Sequence, residues 1–429
     1  MKLTVHRGTK EIGGNCIELA TARNRIILDL GLPLVTPSRE PFDSYAALKK
    51  SNEQLLAERV LPRVAGLFDD DPPPDAILLS HAHPDHMGLI HRSCERVPVY
   101  TTTGTSKIMK AGSVFAGRHG LERSRHRVIK AGTKFEIGDF QITPYSVDHS
   151  TFGSVAFLIE ADGHRLLYTG DLRNHGRKPG MMRTLLNAIK DKPIDTLLTE
   201  GTHLGREKTT NQSEYELEEV LLKHVQQAPG LVLSAFSPQD VDRLVTLYRV
   251  AKRTGRIFVA DAYAAFVLHL VHGEAKIPPP HRDHGIRVFF NESYKRKGIK
   301  KLNTLFKPSR IEMSEILEQP RQHLMVFRPS MTALDFGGRL PPGVTVTYSY
   351  WFGYLKNPDW IELQKQIEKA QGKFITAHAS GHIYETDLIE FIRQVSPKQI
   401  IPIHTFEPGE LAKHFPNTRL LHDGVEYVI

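Results

Sequence analysis

The stretch that decides the fold is His81-Ala82-His83-Pro84-Asp85-His86, which follows the apolar run AILLS at residues 76–80. An apolar run bounded by polar residues is typical of a buried strand, so we expect the polar side chains on the loop that leaves it. Imidazole and carboxylate groups bind zinc and similar divalent ions. Four such groups within six residues do not converge easily on one tetrahedral ion, so the stretch predicts a site for two ions.

Further ligand candidates follow other apolar runs of the sequence. Asp148 and His149 come after ITPYSV, Asp171 comes after RLLYT, and His404 comes after QIIPI. Residues just past a strand are where α/β scaffolds often place chemistry. Taken singly, each residue also has a plain explanation as a turn, cap or loop residue. Their shared placement at strand ends favours the metal site.

Short strands alternate with helices along the chain, which indicates an α/β protein. From Ser213 the pattern changes: Glu214–Gln226 has helical periodicity and 231–236 reads as a strand, the first elements of a doubly wound α/β unit. After Tyr354 the earlier pattern returns. We therefore expect one domain that is interrupted by an insert, with a first part at 1–204, the insert at 205–365 and a final part at 366–429.

Composition is that of an ordinary folded protein, with 40% hydrophobic and 24% charged residues, and histidine is frequent at 22 residues. Two cysteines, Cys16 and Cys94, cannot build a disulfide framework, which is consistent with a reducing compartment. The first residues form no apolar signal peptide, and no run of about 18 apolar residues exists. We expect a cytoplasmic protein without a membrane span.

The positive charge is concentrated in one segment, Lys276–Arg310. It holds ten Lys or Arg residues and two acids, so its net charge of +8 equals that of the whole chain. Basic side chains can neutralise phosphates and aromatic rings can stack on bases. The aromatic residues interleaved with the basic ones are Phe289, Phe290, Tyr294 and Phe306. A solvated loop with a few core aromatics is the alternative explanation.

The successive motifs HAHPDH, DH, TGD and IPIH resemble those of the metallo-β-lactamase superfamily. This resemblance implies an α/β fold, a four-layer αββα sandwich with a two-metal site between its sheets. It also implies the ligands of each ion. One ion would be held by His81, His83 and His149, the other by Asp85, His86 and His404, and Asp171 would bridge them.

Later features resemble the β-CASP nucleases, a family within that superfamily. LLTEGTH at residues 197–203 is similar to motif A with Glu200 as its acid, HASGH at residues 378–382 is similar to motif B with His382, and His404 matches motif C. The α/β insert lies between motifs A and B, where this family carries its β-CASP domain. Histidine at motif C is typical of the RNA-processing members, whereas the DNA-repair members usually have valine.

Within the β-CASP family, HASGH and the segment EIGGN near the N-terminus are most similar to the ribonuclease J branch. That branch usually continues into an extra C-terminal domain, whereas this chain ends at Ile429, soon after His404. The oligomeric state, with a homodimer as one option, and the balance of exo- and endonucleolytic action therefore stay open. The resemblance assigns substrate-phosphate binding to His378, Ser380 and Gly381. Arg328 and Ser330 are further phosphate candidates, although an ordinary loop explains them equally well.

Together these features predict a metal-dependent ribonuclease that hydrolyses RNA phosphodiester bonds. Two divalent ions, zinc first and Mn²⁺ or Mg²⁺ as alternatives, would activate a hydroxide and leave 5′-phosphate and 3′-hydroxyl ends. Asp85 and Asp171 would act through the ions. Glu200 and His382 would form a proton-donating pair, or Glu200 would only orient its neighbours.

The expected partner is RNA, drawn by the basic segment. The residues expected to contact it are Lys295, Arg296, Lys297, Lys300 and Lys301. Three other functions stay open at this stage: a DNA nuclease on the same scaffold, a small-molecule metallo-hydrolase, and a non-catalytic RNA-binding subunit. The last usually loses metal ligands, whereas all seven candidate positions are filled here.

Overall fold

A computed structural model describes residues 1–69, 72–206, 212–296 and 300–429, without the side chains at 295, 296 and 300. Within these ranges, the first sheet is mixed and has the order β19-β1-β2-β3-β4-β5-β6. Its members, in chain order, are β1 Lys2–Arg7, β2 Cys16–Ala20, β3 Arg25–Leu28, β4 Ala76–Leu78, β5 Val99–Thr102, β6 His126–Ile129 and β19 Glu426–Val428.

The second sheet has the order β18-β11-β10-β9-β8-β7. Its first three members are mutually parallel and the others antiparallel, with a hairpin at Gly163 (φ +73°) between β9 and β10. The members are β7 Phe135–Ile137, β8 Phe140–Ser146, β9 Val155–Ala161, β10 His164–Tyr168, β11 Thr196–Glu200 and β18 Gln399–Ile403.

The two sheets pack face to face and each is covered by helices on its other side. Leu28 of the first sheet lies in one core with Phe157 of the second, because alternate strand residues point to opposite faces. On the outer faces, Ile27 packs into a core with Ile108, and Leu158 packs into a core with Phe391. The structure thus confirms the expected αββα sandwich.

The insert forms a third, parallel sheet with the order β14-β13-β15-β12-β16-β17. Phe258 and Val259 of β13 point into different cores, which shows that both faces of the sheet are covered, as in a doubly wound fold. The members are β12 Val232–Ala235, β13 Ile257–Asp261, β14 Ile286–Phe289, β15 His323–Val326, β16 Thr345–Tyr348 and β17 Lys373–Thr376.

The helices of the sandwich flank the two inner sheets. The short α3 is the next helix after β4 and begins inside the HAHPDH motif. These helices are α1 Ser44–Ala47, α2 Asn52–Ala57, α3 Pro84–Met87, α4 Thr103–Phe115, α5 Gly180–Ile189, α14 Glu385–Val395 and α15 Gly409–His414, with a 3-10 turn at Ile90–Arg92.

The insert helices begin at clear capping residues. Ser213 forms a capping box with Glu216, each side chain accepting from the other residue's backbone N–H, and Asp240 caps the next helix. These helices are α6 Glu214–Gln226, α7 Val241–Arg253, α8 Ala262–Val271, α9 Glu292–Arg296, α10 Lys300–Phe306, α11 Met313–Glu318, α12 Ser330–Leu334 and α13 Pro358–Lys369, with 3-10 turns at Arg282–His284, Lys307–Ser309, Pro320–Gln322 and Phe352–Lys356.

The last strand of the insert sheet bears on where the insert ends. The expected end is residue 365, and β17 (Lys373–Thr376) pairs in parallel with β16 of the insert sheet. We propose that the insert extends through Thr376 and that the final part of the sandwich domain begins with the HASGH segment. No helix within the described ranges is both long and apolar enough to cross a membrane.

Candidate metal centre

The candidate site lies at one end of the sandwich, where several strands of both sheets end. Since β10, β11 and β18 are parallel neighbours, the residues after them meet at the same edge. These residues are Asp171, Glu200 at the end of β11, and His404. From the opposite sheet, β4 delivers the HAHPDH motif to the same edge.

The HAHPDH motif is divided between a loop and a helical turn, whereas the sequence analysis placed all of it on a loop. Pro84 occupies the first turn of α3, where its missing N–H costs nothing, so Asp85 and His86 project from a helix. The adjacent Gly31 lies against this turn so closely that a Cβ there would sit 1.6 Å from Asp85 O. Only glycine permits this contact, which fixes the position of Asp85.

One cluster joins the loop half of the motif with the residues after β8 and β10. His149 Nε2 lies 3.0 Å from His83 Nδ1, and Asp171 Oδ2 lies 3.6 Å from His81 Nε2. All ligand atoms of this cluster lie within 4.8 Å of one another. Its members are His81, His83, His149 and Asp171.

A second cluster shares Asp171 with the first. Asp171 Oδ2 lies 3.2 Å from His86 Nε2, and His404 Nε2 lies 3.2 Å from Asp85 Oδ2. Its members are Asp85, His86, Asp171 and His404, all buried and again within 4.8 Å of one another. His404 itself has a left-handed φ of +52°, a conformation that costs energy in a non-glycine residue and that often occurs at functional sites.

A third group lies beside the second, and the sequence analysis did not assign it as a ligand set. It joins Asp171 and His404 to the motif A acid and the motif B histidine, Glu200 and His382. His382 Nδ1 lies 3.0 Å from Glu200 Oε2 and 3.6 Å from Asp171 Oδ2. The other Glu200 oxygen accepts a hydrogen bond from Leu172 N at 2.9 Å, so this acid contacts both His382 and the backbone beside Asp171.

The outer nitrogens of three imidazoles are held by hydrogen bonds, which leaves their inner nitrogens free to bind a metal. Ser80 Oγ donates to Asp29 (2.7 Å) and accepts from His81 Nδ1 (2.9 Å). His86 Nδ1 donates to Asp29 Oδ2 (2.7 Å), and His149 Nδ1 donates to the Gly381 carbonyl (2.5 Å). Such outer contacts select the tautomer that a metal-binding histidine needs.

Electrostatics favours neutral imidazoles in the first cluster. Burial lowers the pKa of His83 to about 4, and it holds the pKa values of His81 and His149 well below the usual range for histidine. Burial also raises the pKa of Asp171, but the facing His404 and His86 outweigh it and hold this pKa well below its usual range. Neutral imidazole and ionised carboxylate are the forms that bind metal ions.

The pair of Glu200 and His382 has a different charge state. Burial lowers the pKa of His382, but the neighbouring carboxylates of Glu200 and Asp171 outweigh it and raise the pKa to about 9. A protonated His382 is thus held between two acids, and it can donate a hydrogen bond to a bound group.

Polar atoms at the centre show that the residues fit metal ions. Among the described residues, His81 Nε2, His86 Nε2 and both carboxylate oxygens of Asp171 are buried without any hydrogen bond. Unsatisfied buried polar atoms are costly and rare in folded proteins, and here they all point into the two clusters that share Asp171. Imidazole and carboxylate are the donor set of zinc-type ions, which would satisfy these atoms.

The motif B loop is held by two buried arginines, one from the sandwich and one from the insert. Arg173 Nη1 donates to Ser380 O (3.0 Å), and Arg243 donates to Ala379 O (3.2 Å) and Ser349 O (3.0 Å). Both guanidinium groups are fully buried beside Glu214, whose Oε1 lies 2.7 Å from Arg243 Nη2 and 3.8 Å from Arg173 Nη1. This network fixes the loop that carries His382.

The phosphate-binding candidates of motif B line the rim of the site. His378 Nδ1 donates to Ser349 O (3.1 Å), and Ser380 Oγ accepts from His382 N (3.1 Å) and contacts His203 Nε2 (2.8 Å). Gly381 packs so closely that a Cβ there would lie 2.7 Å from Ser150 Oγ. The structure therefore brings Ser380 and Gly381 into contact with His382 and His149, whereas His378 bonds to Ser349 of the insert.

Arg328 and Ser330 are placed differently, in the insert. The guanidinium of Arg328 donates twice to Asp261 Oδ2 (3.0 and 2.8 Å) and lies over the rings of Tyr263 and Tyr294. Its charge is already paired, and Ser330 starts the short α12. Neither residue belongs to a metal cluster among the described residues.

The basic segment is only partly described. Its aromatic residues, expected to stack on bases, are buried in cores instead (2–6% exposed), because β14 and the following helices pack against the rest of the insert. Lys301 is exposed, Lys297 lies outside the described residues, and nothing is described of the side chains of Lys295, Arg296 and Lys300. RNA contact by these five residues stays a prediction.

Several site residues were missed by the sequence analysis. Asp29 follows an apolar run (NRIIL), so the same rule that found Asp171 would have found it. Arg173 and Arg243 gave no local signal, because their partners are distant in the sequence. Thr202 Oγ1, which lies 2.8 Å from His404 Nδ1, is in the LLTEGTH segment but was not assigned.

Two family models match the chain. One is described as a Beta-lactamase superfamily domain and matches residues 49–235, and the other is described as a Zn-dependent metallo-hydrolase RNA specificity domain and matches residues 371–414. With the fold and the clusters above, these matches show that the chain contains a metallo-β-lactamase domain. Its sequence is similar to proteins named ribonuclease J over most of its length. The clusters and the zinc-dependent family indicate that it binds divalent metal.

Particular relatives support this placement. Ribonuclease J of Helicobacter pylori is 22% identical over 96% of this chain, and ribonuclease J of Pyrococcus abyssi is 23% identical over 94% of it. The chain spans 57% of the Helicobacter protein's length and 89% of the Pyrococcus protein's length. It spans 56% of the length of an RNase J-like protein of Methanocaldococcus jannaschii. A solved structure of a protein of unknown function from Enterococcus faecalis covers the whole chain with a TM-score of 0.79 at 24% identity, and so shares the fold.

Proposed function

We propose that the chain is a metal-dependent ribonuclease that hydrolyses RNA phosphodiester bonds with two divalent ions and leaves 5′-phosphate and 3′-hydroxyl ends. The observation that carries the proposal is the pair of clusters that share Asp171, with the Glu200–His382 pair beside them. The relatives named ribonuclease J and the match to an RNA specificity domain support RNA as the substrate. Exonucleolytic action from the 5′ end, endonucleolytic cleavage, or both fit this chemistry.

Each cluster would hold one ion. His81, His83 and His149 would bind the first and Asp85, His86 and His404 the second, with Asp171 between them. Zn²⁺ suits the histidine-rich donor set, and Mn²⁺ or Mg²⁺ are the alternatives. When bound, two such ions lower the pKa of water and offset the charge that develops on a phosphodiester during hydrolysis.

The protein's own residues would position the substrate and supply a proton. The rim of His378, Ser380 and Gly381 would bind a substrate phosphate, and His382 would protonate the 3′ oxygen that leaves. Glu200 would hold His382 in place through its 3.0 Å contact. Arg328 is a weaker phosphate candidate because Asp261 already pairs with it. A cytoplasmic location and a homodimer remain part of the proposal.

Cleavage of labelled RNA by metal-loaded variants tests the proposal. Asp171→Ala and His86→Ala should each abolish cleavage while RNA binding persists, because both residues act through the metal and not through the RNA-binding surface. His422→Ala, an exposed histidine outside the clusters, is the matched control and should cleave like the wild type. Cleavage at the wild-type rate by both cluster variants, with metal present, would show that the site assignment is wrong.

The 5′ end of the RNA distinguishes the modes of action. RNAs that carry a 5′-monophosphate, 5′-triphosphate or 5′-hydroxyl are digested side by side with DNA of the same sequence. Stepwise loss of 5′ nucleotides from monophosphate RNA alone indicates a 5′ exonuclease, whereas internal cuts independent of the 5′ end indicate an endonuclease. Preferential cleavage of the DNA would contradict the proposal.

A further inference from the structure

Three large aromatic side chains are exposed side by side in the segment after β16. Trp351, Phe352 and Tyr354 are 55%, 45% and 49% exposed, and the last two lie in a 3-10 turn. The Trp351 and Tyr354 rings are in edge contact at 5.4 Å. Scattered apolar residues are ordinary on a protein surface, but adjoining aromatic rings mark a binding surface.

This aromatic segment borders the metal centre. The Phe352 ring lies 6.0 Å from that of His378, the first residue of the motif B loop. Burial and then the charge of Asp85 raise the pKa of Tyr354, so its phenol lies within electrostatic reach of a metal-cluster residue. The preceding Ser349 carbonyl accepts hydrogen bonds from both His378 and Arg243, which ties the segment to the motif B loop.

A basic side chain, Arg118, lies within electrostatic reach of this segment. It follows α4 and donates a hydrogen bond to the Gln239 side-chain carbonyl. No carboxylate forms an ion pair with it among the described residues. Unlike Arg328, whose charge is paired with Asp261, Arg118 keeps a positive charge that a phosphate can neutralise.

We propose that Trp351, Phe352 and Tyr354 form a platform on which unpaired nucleobases of the RNA stack as the strand enters the site, with Arg118 contacting the neighbouring phosphate. The inference rests on the proposed function and narrows its substrate to RNA that is single-stranded near the scissile bond. Aromatic faces stack on any base, whereas the bases of a duplex are already stacked and paired. Binding should therefore show little dependence on sequence.

Tryptophan fluorescence reports on the platform directly, because the chain has only two tryptophans. The other, Trp360, is 8% exposed and packs at 4.7 Å against Tyr348. Metal-loaded wild type and Trp351→Phe are titrated with a phosphorothioate RNA strand that resists hydrolysis. Quenching is expected in the wild type and not in Trp351→Phe, and a duplex of the same sequence should cause none. Equal quenching by duplex and single strand, or none at all, would overturn the platform.

Paired substitutions separate stacking from general apolar contact. Trp351→Leu combined with Tyr354→Leu should weaken single-strand binding roughly 5- to 150-fold, whereas Trp351→Phe combined with Tyr354→Phe should bind nearly as well as the wild type. Tyr215→Leu, at an exposed position on α6, is the control and should not change binding. Equal affinity of the leucine and phenylalanine pairs would refute stacking.

Two further outcomes keep the inference distinct from the proposed function. If light scattering shows that the leucine pair dissociates a dimer, the surface is an interface between copies and the platform is wrong. If the wild type quenches with single-stranded RNA but never cleaves it, the platform stands and the hydrolase assignment fails. If the leucine pair cleaves RNA normally and binds it as tightly as the wild type, the platform is wrong and the proposed function stands.

Discussion

Asp29 is the residue on which the orientation of two cluster histidines depends. Its carboxylate accepts hydrogen bonds from His86 Nδ1, Ser80 Oγ, Ser80 N and the Tyr168 hydroxyl. Ser80 Oγ in turn bonds to His81 Nδ1 and so orients the second ring. Asp29 is completely buried, with a left-handed φ of +57° that asparagine also tolerates. It therefore fixes both clusters without contacting the centre itself.

Asp29→Asn should consequently lower metal affinity about 10- to 100-fold while the fold persists. An amide retains the shape but has only one acceptor oxygen, so it cannot accept from His86 Nδ1 and Ser80 N together, and the rings lose their fixed tautomers. Metal affinity is measured by calorimetry with Zn²⁺ and Mn²⁺, with circular dichroism as the check on folding. Asp139→Asn, which removes the carboxylate that pairs with Arg23 at the surface, is the matched control. Identical affinities for both variants would show that Asp29 has no positioning role.

His382 is the proposed proton donor, and its role can be separated from that of the metal. Glu200→Gln and His382→Ala should each lower kcat about 10²- to 10⁴-fold on RNA, because a poorly leaving 3′ oxygen needs a proton. On a p-nitrophenyl phosphodiester, whose leaving group departs without a proton, the same variants should lose far less activity. Equal losses on both substrates would show that the pair acts on the metal centre and not on the leaving group.

At the scale of elements, the buried network of Arg173, Arg243 and Glu214 joins α6 and α7 of the insert to the motif B loop. Glu214→Gln removes the carboxylate that pairs with the buried Arg243 at 2.7 Å, whereas Arg173 keeps its ion pairs with Asp148 and Asp242. An unpaired buried charge costs about 3–5 kcal/mol, so the free energy of unfolding should fall by that amount in denaturant titrations. Glu219→Gln lies on the same helix but at an exposed ion pair with Arg253, and it should cost less than about 1 kcal/mol.

The same network predicts a dependence of stability on pH. Burial raises the pKa of Glu214, but Arg243 and Arg173 outweigh it and lower the pKa to about 2, against an ordinary value of 4.5. A carboxyl whose pKa is lowered by folding contributes its full stabilisation above pH 4.5 and loses it as the pH falls toward 2. The stability difference between wild type and Glu214→Gln should therefore shrink in that range. A constant difference would mean that the charge of Glu214 does not stabilise the fold.

Elements with strong local signals were predictable from the sequence. Helix α6 has the bounds expected from the sequence, Glu214–Gln226, since the capping box and the amphipathic pattern mark its ends. The short α3 was not predicted because four residues show no period, and Pro84 reads equally well as a loop residue. The aromatic residues of the basic segment were misjudged because burial against the insert core depends on tertiary packing, which charge density does not reveal.

The site was predictable to a similar degree. Each residue of the two main clusters lies in a motif that follows an apolar run, and the fold brings these strand ends together. The division of these residues between two ions came from the family resemblance and stays a prediction. The supporting arginines were missed because Arg173 bonds to residues 148, 242 and 380, and no local pattern encodes such long-range contacts. The aromatic segment at Trp351 was also missed, because in the sequence it looks like an ordinary apolar run. Only the structure shows that its side chains are exposed.

At the scale of the whole molecule, charge and catalytic residues occupy different parts of the chain. The net charge of +8 equals that of Lys276–Arg310, so the remaining residues sum to zero. This segment includes β14, the edge strand of the insert sheet, and β17, which leads into motif B, forms the opposite edge. A neutral metal-binding sandwich with a basic insert would attract a polyanion through the insert first.

Changing Lys295, Arg296, Lys297, Lys300 and Lys301 together to glutamine should therefore weaken RNA binding and reduce its salt dependence. Each single-strand phosphate contact contributes about 0.7 to the slope of log K against log salt, so the slope should fall by up to about 3.5. The control changes Lys2, Arg23, Arg393, Lys398 and Lys413, exposed residues of the sandwich, with the same loss of charge. If both sets weaken binding equally, net charge alone attracts the RNA and the basic segment makes no specific contact.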